Sequence, residues 1–334
     1  MSDGQTDISG EQRAAIDAAV LAVVGSGTEK TITPVLGGVS GALVYRIDAG
    51  GHRFVLRMEG TATRRHNPHQ YHAMRIAADM KLAPRIHHLD EESGTVVMDF
   101  IEDRRLETYP GGPAGLAAAV GELLAKLQDL PFFQQTIAYP NVAERLWAKV
   151  CGSGMFADGV LDPYSEKLKH VVAAYDAGSV QPVAGHNDVL PRNLLFDGNR
   201  LWLIDWEGAS LNDPLIDVGT ALDNFAPTPE LEDQLLLAWR KRSLAAHERD
   251  RLTLIRALNR LAYASILFRA AAQAPRSAPM CDLSALTSIA FENAFREGRL
   301  KPETPEASLA LGKMFLEAFL TGGAAPGLPP LFMR

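Results

Sequence analysis

Three polar residues stand out by type and spacing. Asp188 lies in a short loop, Asn193 follows five residues later, and the apolar run Leu201-Trp202-Leu203-Ile204 delivers Asp205 to a strand end. An acid, an amide and a second acid suit the transfer of a phosphoryl group. That chemistry needs a carboxylate to orient an attacking hydroxyl and take its proton. It needs oxygen ligands for the Mg2+ that bridges the phosphates, and a cation on the phosphate chain. Asp188 fits the first role, and Asn193 and Asp205 fit the second. Asp188 alone could equally be a turn residue capping backbone amides; Asn193 and Asp205 in register behind it favour chemistry. Arg57, after Phe54-Val55-Leu56, is the candidate phosphate contact, against the alternative of an exposed strand charge. Glu207, two residues past Asp205, reads either as a group near acceptor or metal or as a salt-bridge partner within its loop.

Other chemistries fit less well. His66, His69 and His72 recur every third residue, but a solvated helix face explains them better than a metal site. Ser40 sits in GVSGA, which is not G-x-S-x-G, so a serine hydrolase is disfavoured. There is no GxxxxGK[ST] phosphate loop. Cys151 and Cys281 are the only cysteines and form no CxxC, so neither a disulfide framework nor a zinc knuckle is indicated.

The elements that must position these residues fall into two textures. Ser9 and Gln12 have capping-box spacing and open a helix to about Val24. Thr31–Leu36, Ala42–Asp48 and His52–Met58 are short, rich in Val, Ile, Leu and Tyr, and separated by Gly-rich turns, which predicts three antiparallel strands. A helix over about His69–Met80 and strands near Arg85–Leu89 and Thr95–Phe100 complete a small α+β lobe. Beyond Glu102 the spacing is helical over Gly115–Gln128, Val142–Val150 and Pro163–Tyr175. A hairpin interrupts it, Leu194–Phe196 and Leu201–Ile204 around Asp197-Gly198. Helices resume from about Pro229. The expected organisation is a lobe over residues 1–101, a hinge near 100–105 and a helical lobe over 102–334, with the ligand in a cleft between them. Trp206, Trp239, Tyr263 and Phe268 read as core.

HNDVLPRN followed by IDWE resembles the catalytic loop and metal-binding segment of the aminoglycoside phosphotransferase and choline kinase superfamily, whose members share the protein-kinase fold. LGGVSGALVYRI resembles that family's nucleotide-covering loop, FVLRMEG its third strand, VVMDFIEDRRL its hinge and NDPLID the segment after the metal ligand. Bacterial choline/ethanolamine kinase-like proteins look closest. The resemblance implies an α+β, two-lobed, protein-kinase-like fold, with a small antiparallel-sheet lobe and a larger helical one. It implies ATP and Mg2+ as cofactors, Asp188 as base, and Asn193 and Asp205 on the metal. It places Gly37, Gly38, Ser40, Gly41, Arg57, Gln70, Met98 and Phe100 at the nucleotide. His186 and Asp217 become structural, Asp217 bracing the catalytic loop, and Glu207 an acceptor-site candidate. The helix that often carries a Glu to pair with the strand cation offers only Gln70 here, which could hydrogen-bond Arg57 without neutralising it. That departure motivates the alternative of a nucleotide-binding regulator with little catalysis. No DFG or APE is present, against a protein kinase.

The chain has 334 residues, 47% hydrophobic and 22% charged, with a net charge of −7. This is ordinary globular composition and a poor generic match to nucleic acid or anionic membrane. The N-terminus carries acids and no apolar h-region, and no run is long enough for a membrane helix, so a cytoplasmic protein with a small-molecule partner is expected. Asp188, Asp205, Glu207 and Asp213 suggest an acidic mouth favouring a cationic amino alcohol or aminoglycoside. Gly208 stands where similar choline kinases usually carry Tyr, which disfavours choline itself.

Overall fold

The computed structural model describes residues 9–35, 42–59, 67, 69–131, 133–134, 138–175, 180–275, 277–302 and 304–323. The chain divides into two compact units, residues 1–104 with 195–209, and residues 105–194 with 210–334.

In the first unit, helix α1 (Gly10–Val24) opens on a capping box. Gln12 N–H donates to Ser9 Oγ at 3.2 Å, and Ser9 N–H to Gln12 Oε1 at 3.0 Å. Strands β1 (Lys30–Pro34), β2 (Leu43–Ala49), β3 (His52–Met58), β4 (Ile86–Asp90) and β5 (Thr95–Asp99) form an antiparallel sheet in the order β1-β2-β3-β5-β4. Because side chains alternate along a strand, register sorts the two faces. Ile47, Leu56 and Val97 turn toward α1, whose Ile16, Ala19 and Val20 complete that core. Truncating the fully buried Leu56 to Ala would cost about 2–5 kcal/mol. Arg57, paired with Val44 and Val96, projects from the other face, as do Arg46, Val55 and Met98. Helix α2 (Gln70–Asp79) links β3 to β4.

A hairpin from later in the chain completes this unit. β7 (Leu194–Phe196) and β8 (Leu201–Leu203) pair around Asp197-Gly198. Asp197 Oδ1 accepts from Asn199 and Arg200 N–H at 2.7 and 2.9 Å, and its Oδ2 accepts from Trp202 Nε1 at 2.8 Å. Gly198 has φ +100°, a conformation that favours glycine; a Cβ there would also push aside the Arg104 guanidinium, 2.7 Å away at Cζ. Leu203 N–H donates to Leu82 O at 2.8 Å and Arg104 N–H to Phe196 O at 2.7 Å.

The second unit is helical: α3 (Gly112–Gln128), α4 (Tyr139–Cys151), α5 (Asp162–Ala174), α6 (Leu215–Phe225), α7 (Pro229–Arg240), α8 (Ala246–Ala271), α9 (Ser288–Arg296) and α10 (Pro305–Thr321). Trp147, Phe268, Phe291, Phe315 and Phe319, from α4, α8, α9 and α10, form its core. Thr228, Thr287 and Thr304 cap α7, α9 and α10 through their side chains, each cap contributing about 1 kcal/mol. Two short strands, β6 (Val183–Gly185) and β9 (Ser210–Asn212), pair antiparallel and frame the loop that carries Asp188. Among the described residues no helix is long and apolar enough to cross a membrane.

Candidate active site

The Asp188 loop leaves β6 at Gly185, where a Cβ would come within 3.0 Å of Asn187 Oδ1 and 3.3 Å of Asp217 Oδ2. Asn187 takes the left-handed conformation, φ +61°, which Asn tolerates better than most residues. Asp217, in the first turn of α6 and 2% exposed, accepts the His186 N–H at 2.8 Å and the Asn187 N–H at 2.7 Å. Burial pushes its carboxyl up, opposed by His186 and by these two N–H groups. His186 is fully buried. One carboxylate therefore accepts from two consecutive loop amides.

The two oxygens of Asp188 are held differently. Oδ2 accepts from Asn193 Nδ2 at 2.8 Å and from Arg192 Nη2 at 3.3 Å. Asn193 Nδ2 also donates to the Asp188 carbonyl at 2.9 Å. Oδ1 faces the Tyr263 hydroxyl at 3.4 Å. Burial, then the Asp188 charge, raises the pKa of both the Tyr263 and Tyr139 phenols. Sequence reading placed Tyr263 in the core; its ring does pack on Phe315, but its hydroxyl reaches the loop. Nothing in local spacing signals that contact, since the partners lie 75 residues apart.

In the other unit, Asp205 also takes the left-handed conformation, φ +68° and ψ +67°, and opens a 3-10 turn over Trp206–Gly208. Such backbone strain in a non-glycine residue recurs at functional sites. Asp205 Oδ1 accepts from Arg57 Nη2 at 3.1 Å, and Arg57 Nη1 donates to Glu59 Oε1 at 2.6 Å. Gln70 Nε2 donates to Glu59 Oε2 at 2.7 Å and Tyr71 Oη to the same oxygen at 3.0 Å. The expected Gln70–Arg57 hydrogen bond is thus replaced by one to Glu59. The sequence held the signal: residues two apart on a strand share a face, so Glu59 follows Arg57 onto it. Glu207 Oε2 lies 3.9 Å from Arg57 Nη2. Buried Asn67 donates to the carbonyls of Glu207 at 3.1 Å and Ala209 at 2.8 Å, tying the entry to α2 to this turn. Trp206 is 1% exposed and is core.

Met98 sits on β5 opposite Val55, on the Arg57 face. Phe100 N–H is taken by Arg53 O at 3.2 Å, and its ring lies under Arg46 and Arg53. Gly37, Gly38, Ser40, Gly41 and His66 fall outside the described residues; His69 and His72 are exposed.

The acidic mouth expected from sequence does not survive as free charge. Asp213 is 5% exposed, and its Oδ2 meets Tyr175 Oη at 2.9 Å and Arg251 Nε at 3.2 Å. Asp205 pairs with Arg57 and Asp188 with Arg192. The guanidinium partners of Asp205 and Asp213 reduce the field that was to select a cationic acceptor, while Asp188 and the exposed Glu207 keep more of theirs.

Oxygen donors suit a hard divalent cation. Asn193 spends its amide nitrogen on Asp188, so its carbonyl oxygen is the end suited to a metal. Asp205 offers a carboxylate 26% exposed at the side chain. Among the described residues no group of three His, Cys, Asp or Glu could hold a metal.

A family model described as the phosphotransferase enzyme family matches residues 31–255. The fold is similar to the crystal structure of a choline/ethanolamine kinase family protein from Mesorhizobium loti, 23% identical, covering 93% of this chain and 99% of that one, with a TM-score of 0.62. It is also similar to choline kinase LicA from Streptococcus pneumoniae, 14% identical over 90% and 99% of the two chains, TM-score 0.61. Spectinomycin phosphotransferase, in complex with ADP and spectinomycin, is 12% identical over 91% and 98%, TM-score 0.58. These likenesses establish a kinase-like fold, with an antiparallel-sheet N-terminal part and a helical C-terminal part. Protein LicA of Haemophilus influenzae is 45% identical over 51 residues; the match spans 15% of this chain and 19% of that relative.

Proposed function

We propose that this chain, which belongs to the phosphotransferase enzyme family, moves the γ-phosphate of ATP, with Mg2+, onto a hydroxyl of a small molecule. The observation that carries the reading is the asymmetry of Asp188. One oxygen is fixed by Asn193 and Arg192. The other is turned to the long contact with Tyr263, where an acceptor hydroxyl can take its place and give up its proton. Asp217 braces the loop through its two amides. His186 is structural, because a fully buried imidazole is poorly placed to meet an acceptor.

Asn193 and Asp205 would hold Mg2+, which when bound bridges the phosphates and offsets their charge. Arg57 would meet the phosphates, with Gln70 acting through Glu59. Gly37, Gly38, Ser40 and Gly41 would cover the nucleotide, with Met98 and Phe100 on the base. Because Phe100 N–H is engaged by Arg53, a contact from Phe100 would use its carbonyl or its ring. The regulator reading loses its motive, since Glu59 supplies the acid that α2 lacks.

For the acceptor we propose a cationic amino alcohol or aminoglycoside. Support comes from the similar proteins, which are named for choline, ethanolamine and spectinomycin. The paired carboxylates do not support it. Glu207 is the acceptor-site candidate, 41% exposed at the side chain. The test is an ADP-release screen of amino alcohols, aminoglycosides and neutral sugars, with and without Mg2+. Mg2+-dependent release with one cationic alcohol is expected. Release with a neutral sugar alone would overturn the acceptor class, and release with no acceptor would overturn the transferase.

A further inference from the structure

One guanidinium serves two carboxylates. Arg57 gives Nη1 to Glu59 at 2.6 Å and Nη2 to Asp205 at 3.1 Å. The two acids differ in setting: the Glu59 side chain is 1% exposed, that of Asp205 26%. A charge-assisted hydrogen bond is stronger where water is excluded, so the shorter, deeper bond to Glu59 fixes the guanidinium. Glu59 is itself immobilised, because Gln70 and Tyr71 hold its second oxygen from the start of α2. A guanidinium already matched by a buried carboxylate is close to neutral as a pair and attracts a second acid less.

We propose that Glu59 is a positioning residue that holds Arg57 back from Asp205 and so keeps the Asp205 carboxylate available to a divalent cation. This inference rests on the kinase reading above. Without the Glu59 charge, Arg57 keeps Asp205 at 3.1 Å and the more exposed Glu207 at 3.9 Å as its acidic partners, and a cation must displace the guanidinium to reach the Asp205 carboxylate.

The experiment is a Mg2+ titration of the unfolding temperature with a non-hydrolysable ATP analogue present. It compares wild type, Glu59→Gln, Arg57→Ala and the double variant. Glu59→Gln should raise the Mg2+ midpoint about five- to tenfold, and the double variant should return to the Arg57→Ala value, the signature of coupled residues. A purely structural role would lower the unfolding temperature without moving the midpoint. A folded Glu59→Gln protein with a wild-type midpoint overturns the inference, as does a rise that persists with Arg57 absent. If Glu59→Gln does not fold, Glu59→Asp keeps the charge one methylene further back; a smaller rise supports the proposal and none overturns it. A wild-type chain that analogue and Mg2+ together do not stabilise fails the kinase reading first, and the inference with it.

Discussion

Asp188 and Asp205 are both carboxylates at or beside a left-handed backbone position, yet they are held by different means. Asp205 is gripped by a guanidinium that is itself anchored to a buried acid. Asp188 is oriented chiefly by a neutral amide, with a phenol near its other oxygen; Arg192, its cationic partner among the described residues, is 39% exposed at the side chain and screened by water. On the proposed kinase reading, the difference is one of task. Neutral donors fix the direction of an oxygen without cancelling its charge, which suits a group that must receive a proton. A shared cation keeps a carboxylate in place until a stronger cation competes for it, which suits a metal ligand.

Breaking each side separately should give separate defects. Asp188→Asn, the largest expected effect, should lower turnover by at least about 10²-fold, the scale of general-base catalysis, while ATP affinity stays at the wild-type value. Single-turnover kinetics beside calorimetry checks both; wild-type turnover would remove Asp188 from the chemistry. Asp205→Ala should weaken Mg·ATP roughly tenfold and metal-free ATP much less, because it removes an oxygen ligand rather than a base contact. Calorimetry with and without Mg2+ reads the difference, and equal weakening contradicts the metal role.

Asp217→Asn sharpens the comparison by loosening only the Asp188 side. It sets an amide where a carboxylate meets two N–H groups. That should cost about 2–3 kcal/mol in urea unfolding and lower kcat more than it raises the KM for ATP. An unchanged kcat in a folded variant would show that the loop does not need the brace.

The smallest effect lies away from both clusters. Glu248 takes two bonds from Arg242 at 2.7 and 2.8 Å and caps α8 at Ala245 N–H, 2.8 Å. The Arg242 bond holds its carboxyl well down, at about 2 against an ordinary 4.5. A depressed acid stabilises the fold above its unfolded pKa and loses that contribution as pH falls toward the folded value. Glu248→Gln should therefore cost about 1 kcal/mol at pH 7, fading between pH 4.5 and 2, with Asp188 chemistry untouched. A cost that is flat with pH would contradict the ion pair.

The sequence carried the strands of the first unit almost residue for residue. His52–Met58 is β3 as expected, and α1 begins at its capping box. These elements have alternation, turns and caps written locally. The strands β6 and β9 were not legible, because three-residue segments have no period and pair only across 25 residues of chain or more. Helix α6 was missed for a different reason: nine of its eleven residues are buried, so it shows little of the polar face that betrays a helix. In the site, the contiguous HNDVLPRN and IDWE segments were readable. Glu59 was readable only by applying strand alternation past Arg57, and Tyr263 not at all.

The most direct measurement is phosphorus NMR of the products formed from ATP, Mg2+ and the acceptor that best releases ADP, with wild type and Asp188→Asn side by side. The account predicts a phosphomonoester resonance of the acceptor in the wild-type reaction, absent without Mg2+ and nearly absent with Asp188→Asn. Inorganic phosphate as the only new product, or equal ester formation by both proteins, would contradict it.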